Sequence, residues 1–119
     1  MLRAIRNFLN KRKTAQCNIL SSENGVRFIK DGSQGGGFAW NMVKRIVTYK
    51  DDLMTVDLIC LEFETEDGLV YLAHDEAPGF EQLCTNMNKK FPAVDSNWLL
   101  KVIHPAFAKN FTVLYDKAA

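Results

Sequence analysis

The chain is 119 residues long with a formal net charge of +1 and 47% hydrophobic residues, enough for one domain with its own core. No run approaches the roughly 20 apolar residues that span a bilayer, and residues 1–16 lack the apolar run of a secretory signal, so a cytoplasmic protein is expected. Cys17, Cys60 and Cys84 are an odd set without C-x-x-C spacing, which argues against a disulfide framework and a zinc site and reads as reduced thiols, at least two of them buried.

Residues 1–13 hold Arg3, Arg6, Lys11, Arg12 and Lys13 and no acid. Leu2, Ile5, Phe8 and Leu9 recur at helical spacing among them, so residues 1–16 read as a basic amphipathic helix preceding a single α+β domain over residues 17–119. Cys17–Leu20 and Val26–Ile29 read as the first two strands, joined through Asn24-Gly25, a pair suited to a hairpin turn. The Gly-rich run Asp31–Gly37 is expected to break the chain. Phe38–Trp40 and Val43–Tyr49 then resume it around a bend at Asn41-Met42, with Val43, Ile46 and Val47 in the core.

Thr55–Phe63 reads as a central strand, apolar on both faces at Leu58–Leu61 and alternating from Ile59 to Glu64. Glu66-Asp67-Gly68 predicts a tight turn and Leu69–Ala73 its return strand. Phe80, Leu83, Cys84, Met87 and Phe91 have the spacing of a helix laid on a sheet and stopped by Pro92. Asp95 or Ser96 caps a short second helix carrying Trp98, Leu99, Val102 and Ile103, which should end before Pro105. Phe111–Tyr115 alternates as a last strand, with Phe111, Val113 and Tyr115 expected on one face. The expected fold is therefore α+β, a mostly antiparallel sheet of about six strands packed by a helix. Trp40, Ile59, Leu61, Phe63, Phe80, Leu83 and Met87 should share its core.

Between Lys50 and Lys89 stand ten acids and no Lys or Arg. Asp51, Asp52, Asp57, Glu62, Glu64, Glu66 and Asp67 are the candidate partner-binding residues, because a one-signed surface recruits oppositely charged molecules. Two turns at opposite ends of a hairpin would spread them into a strip along the polar side of the central strand. No catalytic pattern emerges. A phosphate loop needs a helix behind its glycines, and here a strand follows Gly37. His74 or His104 beside Cys60 or Cys84 would make a thiol nucleophile only if the thiol were exposed and ionised, yet both cysteines fall on apolar stripes. His74, Asp75 and Glu76 are consecutive and point apart, so no metal site and no cofactor are expected.

The run Trp40-x-x-Val43-x-x-Ile46-x-x-Tyr49-Lys50-x-Asp52, then Asp57–Phe63, Asp67-Gly68, Leu72 and Gly79–Leu83, resembles small bacterial proteins with a pleckstrin-homology-like fold. It is also similar to immunity-type proteins of polymorphic toxin loci. The resemblance covers residues 38–91 and implies strands followed by a packing helix, without carrying a catalytic motif. It implies a non-enzymatic inhibitor that docks a basic toxin rather than nucleic acid itself. The alternative expectation is a peripheral membrane or adaptor module in which Arg3, Arg6, Lys11, Arg12 and Lys13 mediate homodimer association or contact a membrane surface. A small Cys/His enzyme is the remote third.

Overall fold

The computed structural model describes residues 17–30, 33–52, 57–103 and 111–118. The basic helix expected over residues 1–16, with Arg3, Arg6, Lys11, Arg12 and Lys13, lies outside them. The described fold is α+β, built of two antiparallel sheets and two helices. A three-stranded sheet holds β1 (Cys17–Ser21), β2 (Gly25–Lys30) and β3 (Ser33–Ala39) in that order. A four-stranded sheet holds β4 (Val43–Asp52), β5 (Asp57–Thr65), β6 (Val70–His74) and β7 (Thr112–Asp116), in the order β6-β5-β4-β7.

The β1–β2 hairpin forms as expected, but Gly25 opens β2 without the left-handed backbone expected of it. Ser22 makes that turn, donating its N–H to Gly25 O at 2.9 Å and accepting at Oγ the N–H of Asn24 at 3.1 Å. The Gly-rich run does not break the chain; from Ser33 onward it forms β3. An edge strand is held by main-chain hydrogen bonds to one neighbour, so glycines suffice there, and Phe38 supplies the packing. The expected bend is a 3₁₀ turn over Trp40–Met42, which moves the chain from one sheet to the other, so that the described residues form seven strands. Trp40 pins that crossing: its N–H donates to Asn24 O at 3.1 Å and its indole Nε1 to Ser22 O at 2.8 Å.

Helix α1 (Phe80–Lys90) lies on the sheets with its apolar stripe inward. Phe80, Leu83 and Met87 are buried with Trp40, Ile59, Leu61 and Phe63 in one cluster, as the spacing predicted. Burying each such side chain is worth roughly 1.5–3 kcal/mol, so this cluster is the main source of stability. Helix α2 (Trp98–Ile103) adds Trp98 and Val102. Asp95 starts it, its Oδ1 accepting the Asn97 N–H at 2.9 Å. The helix ends against the sheet, where Lys50, 3% exposed, donates from Nζ to Ile103 O at 2.7 Å.

One expectation for β7 fails. Val113 pairs with Val47 but Tyr115 with Ile46, across a break in the β4–β7 register. Tyr115 therefore turns to the main core, its ring 4.5 Å from Phe91, while Val113 stays 43% exposed on the other face. Among the described residues no helix is long and apolar enough to cross a membrane.

Candidate interaction surface

The four-stranded sheet has a second face, opposite α1, set by strand alternation. Arg45, Val47 and Tyr49 of β4 stand beside Glu64, Glu62 and Cys60 of β5, which stand beside Val70, Leu72 and His74 of β6. The face divides into a closed half and an open half.

In the closed half Tyr49, Leu58 and Cys60 form a small cluster of their own, each at most 1% exposed, with Leu72 packed against it. Tyr49, Cys60 and His74 occupy one transverse row across three strands. Cys60 Sγ lies 3.7 Å from His74 Nδ1 and 3.8 Å from Leu58 O. The structure thus brings together one of the Cys-His pairs considered from sequence, but in the interior: Cys60 is fully buried and His74 is 3% exposed. A thiol nucleophile must be both ionised and reachable. Cys60 is not reachable, and burial, reinforced by Glu81 and Asp75, pushes the Cys84 thiol up to about 12. His104 lies outside the described residues.

The open half mixes carboxylates with apolar side chains. A groove of about 100 Å³ is lined by Arg45, Val47, Glu62, Glu64, Val70 and Phe111. Glu62 accepts a short hydrogen bond from the Tyr49 hydroxyl, and Glu64 faces Lys44 Nζ at 4.0 Å. The Phe111 ring stacks on Tyr49 with centroids 6.1 Å apart. Phe111, Val70 and Val113 are 56%, 57% and 43% exposed. Arg45 Nε is buried without a hydrogen bond, 4.0 Å from Asp116 Oδ2.

The seven candidate acids do not form one cluster. Glu62 and Glu64 line the groove. Glu66 is at the β5–β6 turn, where Lys117 Nζ reaches its Oε1 at 3.0 Å. Asp67 closes the same turn, accepting the Thr65 hydroxyl and the Leu69 N–H, and these bonds hold its carboxyl below the usual range. Asp51, Asp52 and Asp57 stand at the other end of the β4–β5 hairpin, Asp51 opposite Leu58 and Asp52 opposite Asp57; their side chains lie outside the description. The length of β5 separates the two ends by about 30 Å. Asp75 bonds backbone as well, its Oδ1 accepting the Ile59 N–H at 3.3 Å. Among the described residues no three His, Cys, Asp or Glu side chains converge on a point that could hold a metal ion.

Val70, Val113 and Phe111 are the surface residues that sequence reasoning missed. Val70 falls within the expected strand Leu69–Ala73, and Phe111 and Val113 within Phe111–Tyr115, a pattern that names strands but not which face is covered; the register shows that their side of the sheet is open. No protein-family model matches the chain, and no curated protein or solved structure matches it either.

Proposed function

We propose that the chain is a non-enzymatic protein-binding domain of the immunity type, which docks a basic partner, such as a nucleic-acid-directed toxin, on the open half of the second face. The observation that carries this is the placement of Glu62 and Glu64 in one groove with the exposed Val70 and Phe111, with the exposed Val113 paired to Val47 at its side. Solvent-exposed apolar side chains supply affinity on desolvation, and carboxylates among them select a cationic, partly apolar counterpart and speed its approach. Within residues 38–91, strands β4, β5 and β6 followed by the covering α1 support the pleckstrin-homology-like reading. Glu66, paired with Lys117, and Asp67, engaged in holding its turn, are assigned a smaller part in docking than the sequence suggested.

The test is affinity capture from the native host with wild-type and Glu62→Gln/Glu64→Lys baits across a salt series. A basic protein retained by the wild type, lost by the variant, released by salt and indifferent to chelator is the expected result. Recovery of no basic protein, or equal retention by both baits, overturns the reading.

A further inference from the structure

The turn between β1 and β2 sets an asparagine beside an unused main-chain nitrogen. Of the asparagines in the sequence, only Asn24 precedes a glycine. Its carboxamide is exposed and makes no hydrogen bond among the described residues, while its own N–H donates to Ser22 Oγ at 3.1 Å. The N–H of Gly25 is also unengaged. Trp40 N–H donates to Asn24 O at 3.1 Å, which makes Gly25 and Ala39 a non-hydrogen-bonded pair of the β2–β3 ladder. Across the turn Ser22 donates to Gly25 O, but Gly25 does not donate back.

The fold keeps this nitrogen unshielded. A Cβ at Gly25 would fall 2.2 Å from Phe38 O, so the close approach of β3 to β2 admits only glycine there. The other described asparagines are followed by Ile19, Met42, Met87, Lys89 and Trp98, whose side chains crowd the nitrogen that would have to react. Asn86 and Asn88 also commit their amides, to Ser21 Oγ at 2.8 Å and Val94 O at 3.4 Å. A nucleophile and a carbonyl carbon joined by so few bonds react far faster than separate molecules do.

We propose that Asn24 is a self-modification site, at which the Gly25 nitrogen displaces ammonia and water then opens the resulting succinimide to an aspartyl or isoaspartyl residue. In the first step the Gly25 N–H gives its proton to hydroxide and the nitrogen bonds to Asn24 Cγ. The Cγ–Nδ2 bond breaks, and the leaving nitrogen takes a proton from solvent and departs as ammonia. In the second step water adds to one of the two ring carbonyls, the bond from that carbon to the Gly25 nitrogen breaks, and a carboxylate remains. The net change is amide plus water to carboxylate plus ammonium. Trp40 biases the second step, because its N–H sits on Asn24 O, where negative charge builds when water attacks the main-chain carbonyl. That attack gives the isoaspartyl product. The former carbonyl becomes a side branch, the main chain gains a methylene, and the acceptor that pins Trp40 at the crossing between the sheets is displaced. Asn24 is thus a one-way clock on that crossing, independent of the docking surface.

The full chain, held folded for days in mildly alkaline or mildly acidic buffer and then digested for peptide mass spectrometry, tests this. The expected result is a gain of one mass unit at Asn24 before any other described asparagine, faster in alkali, with isoaspartate detected by enzymatic methylation as the major product. Asn24→Gln, which must close a larger ring, should stay unmodified over the same period. In the modified fraction, separated by ion exchange, the Trp40 indole N–H should exchange about tenfold faster than in the parent. Asn24→Asp carries the same charge on an ordinary main chain and should keep the parent's protection. An Asn24 that remains intact, or that reacts after another described asparagine, overturns the proposal. So does a modified fraction in which Trp40 is as protected as in the parent, or an Asn24→Asp variant that loses as much protection as the modified fraction.

Discussion

Lys50 and Ile103 are joined through the fold: the Lys50 ammonium, 3% exposed on β4, donates to the last carbonyl of α2 at 2.7 Å. A cation at a helix C-terminus offsets the partial negative charge of the unpaired carbonyls there. Lys50 thus ties the end of α2, a helix too short to hold itself, to the centre of the sheet.

Lys50→Met should therefore keep most of the buried volume while releasing that carbonyl. We expect a loss of about 1–3 kcal/mol and faster hydrogen exchange at Val102 and Ile103 than at α1. Unchanged α2 protection would show that packing of Trp98 and Val102 alone holds the helix.

Phe80→Ala should cost roughly 3–5 kcal/mol, since Phe80 opens the α1 stripe within the main cluster. Urea unfolding measures it. A cost under about 1 kcal/mol would mean that α1 packs more loosely than its burial indicates.

Gly79 and Gly68 both have positive φ, at 93° and 86°, yet they should respond differently to alanine. A Cβ at Gly79 would fall 1.9 Å from Ile19 O, whereas none of the surroundings of Gly68 comes within 4 Å. Gly68→Ala should cost about 1–2 kcal/mol for the left-handed backbone alone. Gly79→Ala should cost clearly more, because β1 must also move. Equal melting points for the two variants would rule out the close approach of β1 to the α1 entry.

Alkaline stability should depend on Cys84. Folding raises its thiol from 9.0 to about 12, so the fold favours the neutral form. The contribution is complete below pH 9 and falls away as pH rises from 9 toward 12. Cys84→Ala should lose less stability between pH 9 and 11 than the parent chain. Parallel pH slopes for the two proteins would count against a buried thiol.

Glu64→Lys should leave the fold within about 0.5 kcal/mol of wild type, because the side chain is 34% exposed and its nearest cation, Lys44, is 4.0 Å away. Glu62→Lys should cost more, as it also removes the acceptor of the Tyr49 hydroxyl. The two reversals separated by thermal melts, and both slowing association with a basic partner, is the expected pattern.

The main core was legible because periodicity reports burial directly. The Phe80, Leu83, Met87 stripe and the Ile59, Leu61, Phe63 alternation each name a face, and the two faces meet. The turn at Asp67-Gly68 was legible for the same local reason. What stayed hidden depends on partners far along the chain. Nothing near Gly35–Gly37 says that β2 will pair with Gln34 and Gly37 on either side of a bulge. The register break that parts Val113 from Tyr115 is a property of β4 and β7 together. The row of Tyr49, Cys60 and His74 exists only once three strands align, and the neutralisation of Glu66 needs Lys117, which is 51 residues away.

The strand order β6-β5-β4-β7 has a consequence for how the molecule is assembled. β4 pairs with β5 through a short hairpin but with β7 only after the whole α1–α2 segment has been placed. Closing that long loop is slow compared with forming the hairpin. Until β7 arrives, the main-chain donors and acceptors of Arg45–Thr48 are an open template on which another nascent chain can add as a strand. The last strand therefore serves as a seal against mispairing, and yield on refolding from dilute against concentrated solution should depend on it more than melting temperature does.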